Sequence, residues 1–115
     1  MKFITPFTEI TLDDVGSVGG KNASLGQMIT SFSQKGIAVP DGFAITAAGY
    51  WHYLDANNLT SAVEAATKQI NDYTNVQSVT TASEKIRAMI EAGSFPEDLA
   101  QAIIKAYQAL GKQYE

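Results

Sequence analysis

The sequence has no cysteine and only one histidine among its 115 residues. Because disulfides, thiolate metal sites and thiol nucleophiles all require cysteine, these three kinds of chemistry are excluded. No apolar run approaches the length of about 18 residues that a membrane-spanning helix needs. The first residues also lack the apolar core of a signal peptide. We therefore expect a soluble, cytoplasmic protein.

The chain also lacks an excess of positive charge. Its 8 basic and 12 acidic residues give a formal net charge of −4, which gives no support for binding to nucleic acid or anionic membranes. Hydrophobic residues make up 45% and charged residues 17%, a balance typical of a folded globule. The length suffices for one domain or part of one, and we treat residues 1–115 as a single piece.

The hydrophobic pattern is mostly helical, with short strands in the first half. Apolar residues around Pro6 predict a short edge strand. Residues 11–15 form a polar connection or a single turn, and residues 42–46 form a second strand after a Pro-Asp-Gly turn. We predict an α+β, mostly helical fold with about five helices and two or three short strands.

The first long helix is predicted to begin at Lys21 and to end before Gly36, a residue type common at helix ends. A second helix covers residues 47–56. The buried face of the first helix follows the i, i+3, i+4, i+7 spacing and comprises Leu25, Met28, Ile29 and Phe32.

Three later helices each follow a Ser/Thr-x-x-Glu sequence, which is typical of a capping box. Pro96 is predicted to occupy the first turn of the last helix, where its missing N–H costs little. The capping pairs are Ser61 with Glu64, Thr81 with Glu84, and Ser94 with Glu97. The predicted apolar faces are Leu59, Val63, Ala66 and Ile70; Ala82, Ile86, Met89 and Ile90; and Leu99, Ile103, Ala106 and Leu110.

Two short strands do not make a stable sheet unless helices cover them closely. Either the helices stabilise the fold, or the chain is the front of a larger structure.

The strongest candidate for a binding site is the segment V-G-G-K-N-A-S-L-G at residues 18–26. Helix starts leave backbone N–H groups unpaired and have roughly half a positive charge. Gly19 and Gly20 would let a ligand approach the backbone closely, and Lys21 adds a mobile positive charge. Together they predict a phosphate-binding corner.

This corner does not match the common nucleotide-binding motifs. When Gly20 and Lys21 are aligned with the end of a P-loop, Val15 falls at the first glycine and Asn22 at the Ser/Thr position. The Rossmann sequence G-x-G-x-x-G is absent. From the residues alone, a tight glycine turn beside a solvated lysine is as well supported as a phosphate site.

Other candidates are better explained by structure than by chemistry. His52 has no partner carboxylate at ligand spacing, so packing or surface placement is favoured over catalysis. Asp13 and Asp14 suggest half a metal site but fit a solvated turn better. The aromatic residues near His52 favour packing over a stacking platform; they are Tyr50, Trp51 and Tyr53. We predict no catalytic residue and no metal ligand in this chain.

Three stretches of the sequence resemble one enzyme family. They are residues 18–28, residues 36–46 with the sequence G-I-A-V-P-D-G-F-A-I-T, and residues 102–107 with the sequence A-I-I-K-A-Y. In this order they resemble the N-terminal segment of the phosphoenolpyruvate synthases (pyruvate, water dikinases). The wider family includes pyruvate phosphate dikinase, rifampin phosphotransferase and the glucan water dikinases. Asn22-Ala23-Ser24 is similar to the synthase form.

The resemblance implies that residues 1–115 are the incomplete front part of an ATP-grasp nucleotide-binding domain. Such enzymes use ATP and magnesium to phosphorylate a histidine on a separate domain. A third domain then passes the phosphoryl group to pyruvate, giving phosphoenolpyruvate, AMP and phosphate. Carried over by position, Lys21 matches the lysine that contacts the ATP phosphates, and Gly19 and Gly20 shape its loop.

Several features of that family are missing from this sequence. They are the arginine-containing strand after the last helix, the magnesium-binding carboxylates, the phosphohistidine motif and the pyruvate-binding barrel; His52 does not match the phosphohistidine. We therefore expect a fragment of a longer phosphotransferase that is inactive alone and binds no cofactor tightly. Its expected partners are the remaining ATP-grasp, phosphohistidine and pyruvate-binding domains. The alternatives are a fragment of the rifampin phosphotransferase or pyruvate phosphate dikinase type, and a free-standing helical module with a structural glycine turn.

Overall fold

The computed structural model describes residues 2–114, so Met1 and Glu115, the two ends of the predicted domain, lie outside the described residues. The described chain is mostly helical with one two-stranded sheet, which confirms the α+β prediction. Its elements in chain order are β1 (Ile4–Pro6), two 3-10 turns (Phe7–Glu9 and Leu12–Asp14), α1 (Val15–Val18), α2 (Gly20–Ser33), β2 (Phe43–Ile45), α3 (Ala47–Ala56), α4 (Thr60–Lys68), α5 (Val76–Glu91) and α6 (Glu97–Gln113).

The described residues contain six helices where about five were predicted. The additional helix is the single turn α1, which begins at Val15, the last of the residues predicted as a polar connection or a single turn. None of the helices described in residues 2–114 combines the length and the apolarity required to cross a membrane.

The two strands lie in the predicted places and pair with each other. β1 runs antiparallel to β2 with Thr5 opposite Ala44, and α6 packs against β1. Thr46, directly after β2, is buried; its hydroxyl donates to the Lys2 carbonyl at 2.8 Å and accepts the Gly49 N–H at 3.3 Å. This threonine therefore joins the segment before β1 to the start of α3.

The chain divides into two compact units, of which the first comprises residues 2–50 and 97–114. In this unit α2 packs against both 3-10 turns and against α1. The core cluster consists of small and medium apolar side chains contributed by a turn, two helices and a strand. Its members are Ile10, Val18, Ala23 and Ala44, with Phe7 packed against them.

The buried face of α2 differs from the predicted one. Ile29 is buried as predicted, but Met28 is 40% exposed, and the face that points inward also contains Ala23 and Gly26. A Cβ atom on Gly26 would lie 2.5 Å from the carbonyl oxygen of Ile10, so helix and turn are in backbone contact. Small residues decide which face is buried here, because they allow closer approach than the larger apolar side chains.

Helix α2 ends as predicted. Gly36 has a φ of 72°, its N–H bonds to the Ser33 carbonyl at 3.2 Å, and the Ile37 N–H bonds to the Phe32 carbonyl at 3.1 Å. These two bonds form a Schellman motif, in which a left-handed glycine satisfies the last carbonyl groups of a helix.

The second unit, Trp51–Pro96, is helical, with α4 packed on α5. Tyr53 is buried; its hydroxyl donates to the Ile90 carbonyl at 2.6 Å, and its ring meets Phe95 edge-on. The Asn57 side chain accepts the Ser94 N–H at 2.8 Å and donates to the Ser94 carbonyl at 2.9 Å. These contacts join the beginning and the end of the unit.

The predicted capping boxes are wrong, although the predicted helices are present. Helix α4 begins one residue before Ser61, and its N-cap residue Leu59 makes no side-chain capping bond. Thr81 lies inside α5, which begins at Val76 behind an Asn75 cap.

Helix α6 begins at Glu97 itself, so Pro96 rather than Ser94 directly precedes it. A capping box formed by Thr11 and Asp14 was not predicted. Short polar patterns recur inside helices, where the same hydroxyl bonds back to the carbonyl four residues earlier, as Thr81 does to Gln77.

Candidate functional site

The predicted glycine–lysine corner lies at the break between α1 and α2. Gly19 separates the two helices with a φ of 84° and a ψ of 163°. This backbone region is essentially restricted to glycine because a Cβ atom clashes with the neighbouring peptide groups. The break in the helical path, and with it the position of the α2 N-terminus, therefore depends on Gly19.

The corner is exposed but anchored on both sides. Gly19, Gly20 and Lys21 are exposed, whereas Val18 before them and Ala23 after them are both buried in the core of the first unit. The corner is therefore anchored in the core on both sides and has a surface open to a ligand.

Helix α2 starts at Gly20, and its N-cap residue Gly19 has no side chain to bond the first N–H groups. The first N–H groups of any helix have no intrahelical acceptor, and the helix dipole adds positive potential at this end. Lys21, in the first turn, adds a full positive charge. The arrangement is suited chemically to binding an anion.

Asn22 is a part of this corner that was not predicted to be functional. Its Nδ2 donates to the carbonyl of Val18 at 2.9 Å, so its side chain spans the break between the helices. The sequence gives only a weak indication of this role. An asparagine in the first turn of a helix is common, and its importance depends on the break between α1 and α2, which the sequence does not show.

The other candidates lie on α3 or in the turn before α1, and their exposure differs. His52 is half-buried on α3, and Tyr53 is a core residue of the second unit. Trp51 is 54% exposed. The Asp14 carboxylate accepts the Thr11 N–H at 2.8 Å, and the Asp13 N–H donates to the Thr11 hydroxyl at 3.3 Å. The acidic pair therefore belongs to a capped turn, as the turn interpretation predicted.

The described fold and its corner define a class: a helix-rich α+β domain that presents a glycine–lysine helix start to solvent. Residues 15–115 match the family model for the pyruvate phosphate dikinase AMP/ATP-binding domain. The chain belongs to this family, and the match includes the whole corner. This result confirms the family resemblance read from residues 18–28, 36–46 and 102–107.

Curated relatives support the same assignment. The chain is 38% identical over 114 residues to a phosphoenolpyruvate synthase from Helicobacter pylori, covering 99% of this chain and 14% of that protein. It is 36% identical over 107 residues to a phosphoenolpyruvate synthase from Aquifex aeolicus, covering 93% of this chain and 12% of that protein. A probable phosphoenolpyruvate synthase from Methanocaldococcus jannaschii is 39% identical over 110 residues, 96% of this chain and 9% of that protein. The chain therefore spans about one seventh or less of the length of these relatives.

Proposed function

We propose that this chain is the N-terminal portion of a phosphoenolpyruvate synthase-type dikinase, and that Gly19, Gly20 and Lys21 bind the phosphates of ATP. The observation that supports this most directly is the exposed, glycine-bordered start of α2, with its lysine, in a chain of the AMP/ATP-binding family. The alternative, a tight glycine turn beside a surface lysine, accounts equally well for the exposure of the three residues but gives no reason for the match to an AMP/ATP-binding family.

In the proposed site the protein contributes electrostatic stabilisation and no covalent chemistry. Phosphoryl transfer spreads negative charge over the phosphate oxygens, and donors already fixed in place stabilise that charge without reorganisation. The α2 N-terminus would supply N–H donors to one phosphate, and the Lys21 ammonium group would reach a neighbouring one. Gly20, without a side chain, leaves room for the phosphate next to the backbone.

Magnesium is part of the proposed reaction, but we assign it no ligand in this chain. Within residues 2–114 no three His, Asp or Glu side chains come together as metal ligands, and the Asp14 carboxylate is bonded to Thr11. The ions would therefore be held by other parts of the dikinase.

The finer features of the proposal rest on the resemblance of the sequence to the phosphoenolpyruvate synthases. They are the ATP-grasp architecture, transfer through a phosphohistidine, pyruvate as acceptor, and the remaining domains of the dikinase as partners. Asn22-Ala23-Ser24 and the names of the three relatives above favour the synthase over the other members of the family.

The test is Lys21→Ala in the full dikinase that contains this domain. Loss of the lysine should slow ATP-dependent histidine phosphorylation by one to three orders of magnitude, corresponding to about 1.4–4 kcal/mol. The measurement is transfer of labelled phosphate from ATP to the protein as a function of ATP concentration.

Lys35→Ala is the matched control, because Lys35 is an exposed lysine just beyond the opposite end of α2. It should leave the rate unchanged. Equal rates for the wild type and Lys21→Ala would make Lys21 an ordinary surface residue and would overturn the proposed site.

A further inference from the structure

We propose that Asn22 is the positioning residue of the corner. It holds the corner loop, which consists of Gly19 and the first two residues of α2, Gly20 and Lys21, in one conformation and thereby sets where Lys21 presents its charge. The predicted effect of Asn22 on ATP binding rests on the proposed function, whereas its predicted effect on the conformation of the loop does not.

Three hydrogen bonds close the loop at its base, and two of them join backbone atoms only. The Gly19 N–H donates to the Val15 carbonyl at 2.8 Å, and the Ala23 N–H donates to the Gly19 carbonyl at 3.0 Å. These two bonds do not depend on the identity of any side chain. The third is the bond from Asn22 Nδ2 to the Val18 carbonyl at 2.9 Å.

The third bond is needed because α1 ends at Val18. The last carbonyl groups of a helix have no intrahelical donor, and Val18 is 9% exposed, so water reaches its surroundings poorly. The side chain of Asn22 is half-buried and supplies the missing N–H. Alanine has no donor to offer, and aspartate at this position has only acceptor oxygens.

A side-chain hydrogen bond of this kind restricts the backbone more here than it would in a loop without glycine. Two consecutive glycines have more backbone freedom than any other pair of residues, so an untethered loop would sample many conformations. Anion sites work best when their donors are already in place, because a mobile loop must lose entropy when the ligand binds. Asn22 thus compensates for the flexibility that the glycines introduce.

The first experiment measures backbone order in the 115-residue chain by nitrogen-15 relaxation. In the wild type we expect order parameters near 0.85 at Gly20 and Lys21, and in Asn22→Ala values below about 0.6. Asn22→Asp has nearly the same shape and a charge that a helix N-terminus favours, so it tests the loss of the donor in a variant expected to fold. It should loosen the loop in the same way.

Gln27→Ala is the matched control. It removes another half-buried amide of α2, whose Nε2 donates to the Ser31 hydroxyl at 3.0 Å, away from the loop. In Gln27→Ala the order parameters at Gly20 and Lys21 should remain near the wild-type values. Wild-type order at Gly20 and Lys21 in both Asn22 variants would overturn the proposal.

The second experiment is a double-mutant cycle in the full dikinase. Asn22→Ala should raise the KM for ATP about tenfold in the wild-type background, since misplacing a binding group weakens its contact. In the Lys21→Ala background it should have little further effect, because coupled residues are not additive. Full additivity would show that Asn22 does not act through Lys21.

The two proposals fail in different ways. If Lys21→Ala alone leaves ATP use unchanged, the proposed function fails, and the relaxation measurement still decides whether Asn22 holds the loop.

Discussion

At the scale of single residues, the two adjacent glycines have different roles. Gly19 has a backbone conformation that other residues avoid, whereas Gly20 is the first residue of α2 and has no positive φ. A Cβ atom on either residue would have nothing within 4 Å. Any difference between their alanine variants must therefore come from the backbone conformation of each residue rather than from crowding.

We predict that Gly19→Ala destabilises the chain by about 1–3 kcal/mol, the cost of forcing a residue with a Cβ atom into this region. Gly20→Ala should leave stability unchanged or slightly higher, since alanine favours a helix. Urea denaturation of both variants, followed by circular dichroism, measures the difference. Equal stability of the two would mean that the break between α1 and α2 does not need the observed Gly19 conformation.

At the scale of elements, the position of α2 depends on its contact with the turn before it. The helix lies so close to Ile10 that a Cβ atom on Gly26 would be 2.5 Å from the Ile10 carbonyl oxygen and 2.7 Å from its Cβ. Because part of this contact is backbone, a side-chain rotation cannot relieve it. The same contact keeps the N-terminus of α2, and hence the corner, in place.

We predict that Gly26→Ala destabilises the chain by about 1–3 kcal/mol through overpacking. The control is Gly111→Ala in α6, which meets nothing within 4 Å and should stabilise by up to about 1 kcal/mol, as alanine does in a helix. Thermal and urea unfolding of both variants measure these changes. Similar stabilisation in both would show that α2 is not in backbone contact with the turn.

At the scale of the whole molecule, the corner lies at the surface of the described chain, with Gly19, Gly20 and Lys21 all exposed. The loop residues are exposed, and the relatives are about seven or more times longer than the matched region. A helix start and one lysine bind a phosphate weakly when water can reach them, because exposed charges interact through a high dielectric. The domains proposed to complete the site would exclude that water.

We therefore predict that the 115-residue chain alone binds ATP with a Kd above about 1 mM, which corresponds to a binding free energy of less than about 4.1 kcal/mol in magnitude. Isothermal titration calorimetry with ATP, with and without magnesium, measures it, and inorganic phosphate serves as the comparison ligand. Micromolar affinity for ATP would contradict the proposal that the site is shared between this chain and other domains of the dikinase. It would place most of the ATP pocket within these residues.

Hydrophobic patterns and turn signals in the sequence were sufficient to predict the α+β class, the two observed strands and the presence of the later helices. Burial in the predicted faces of α4, α5 and α6 follows the hydrophobic periodicity, as Ala66, Ala82 and Leu99 show. The helix starts were less predictable. The pattern Ser/Thr-x-x-Glu occurs both at helix starts and inside helices. Only the path of the backbone distinguishes the two cases.

The sequence by itself determined the class of fold, the family resemblance and the place of Gly19, Gly20 and Lys21 at a helix start, because periodicity and local motifs are encoded over a few neighbouring residues. Only the tertiary structure decided that Gly19 breaks the helix, that Asn22 closes the loop and that Gly26 lies against Ile10. These features depend on where the chain turns and on which distant backbone it meets. Packing determines both, and short-range patterns do not specify it.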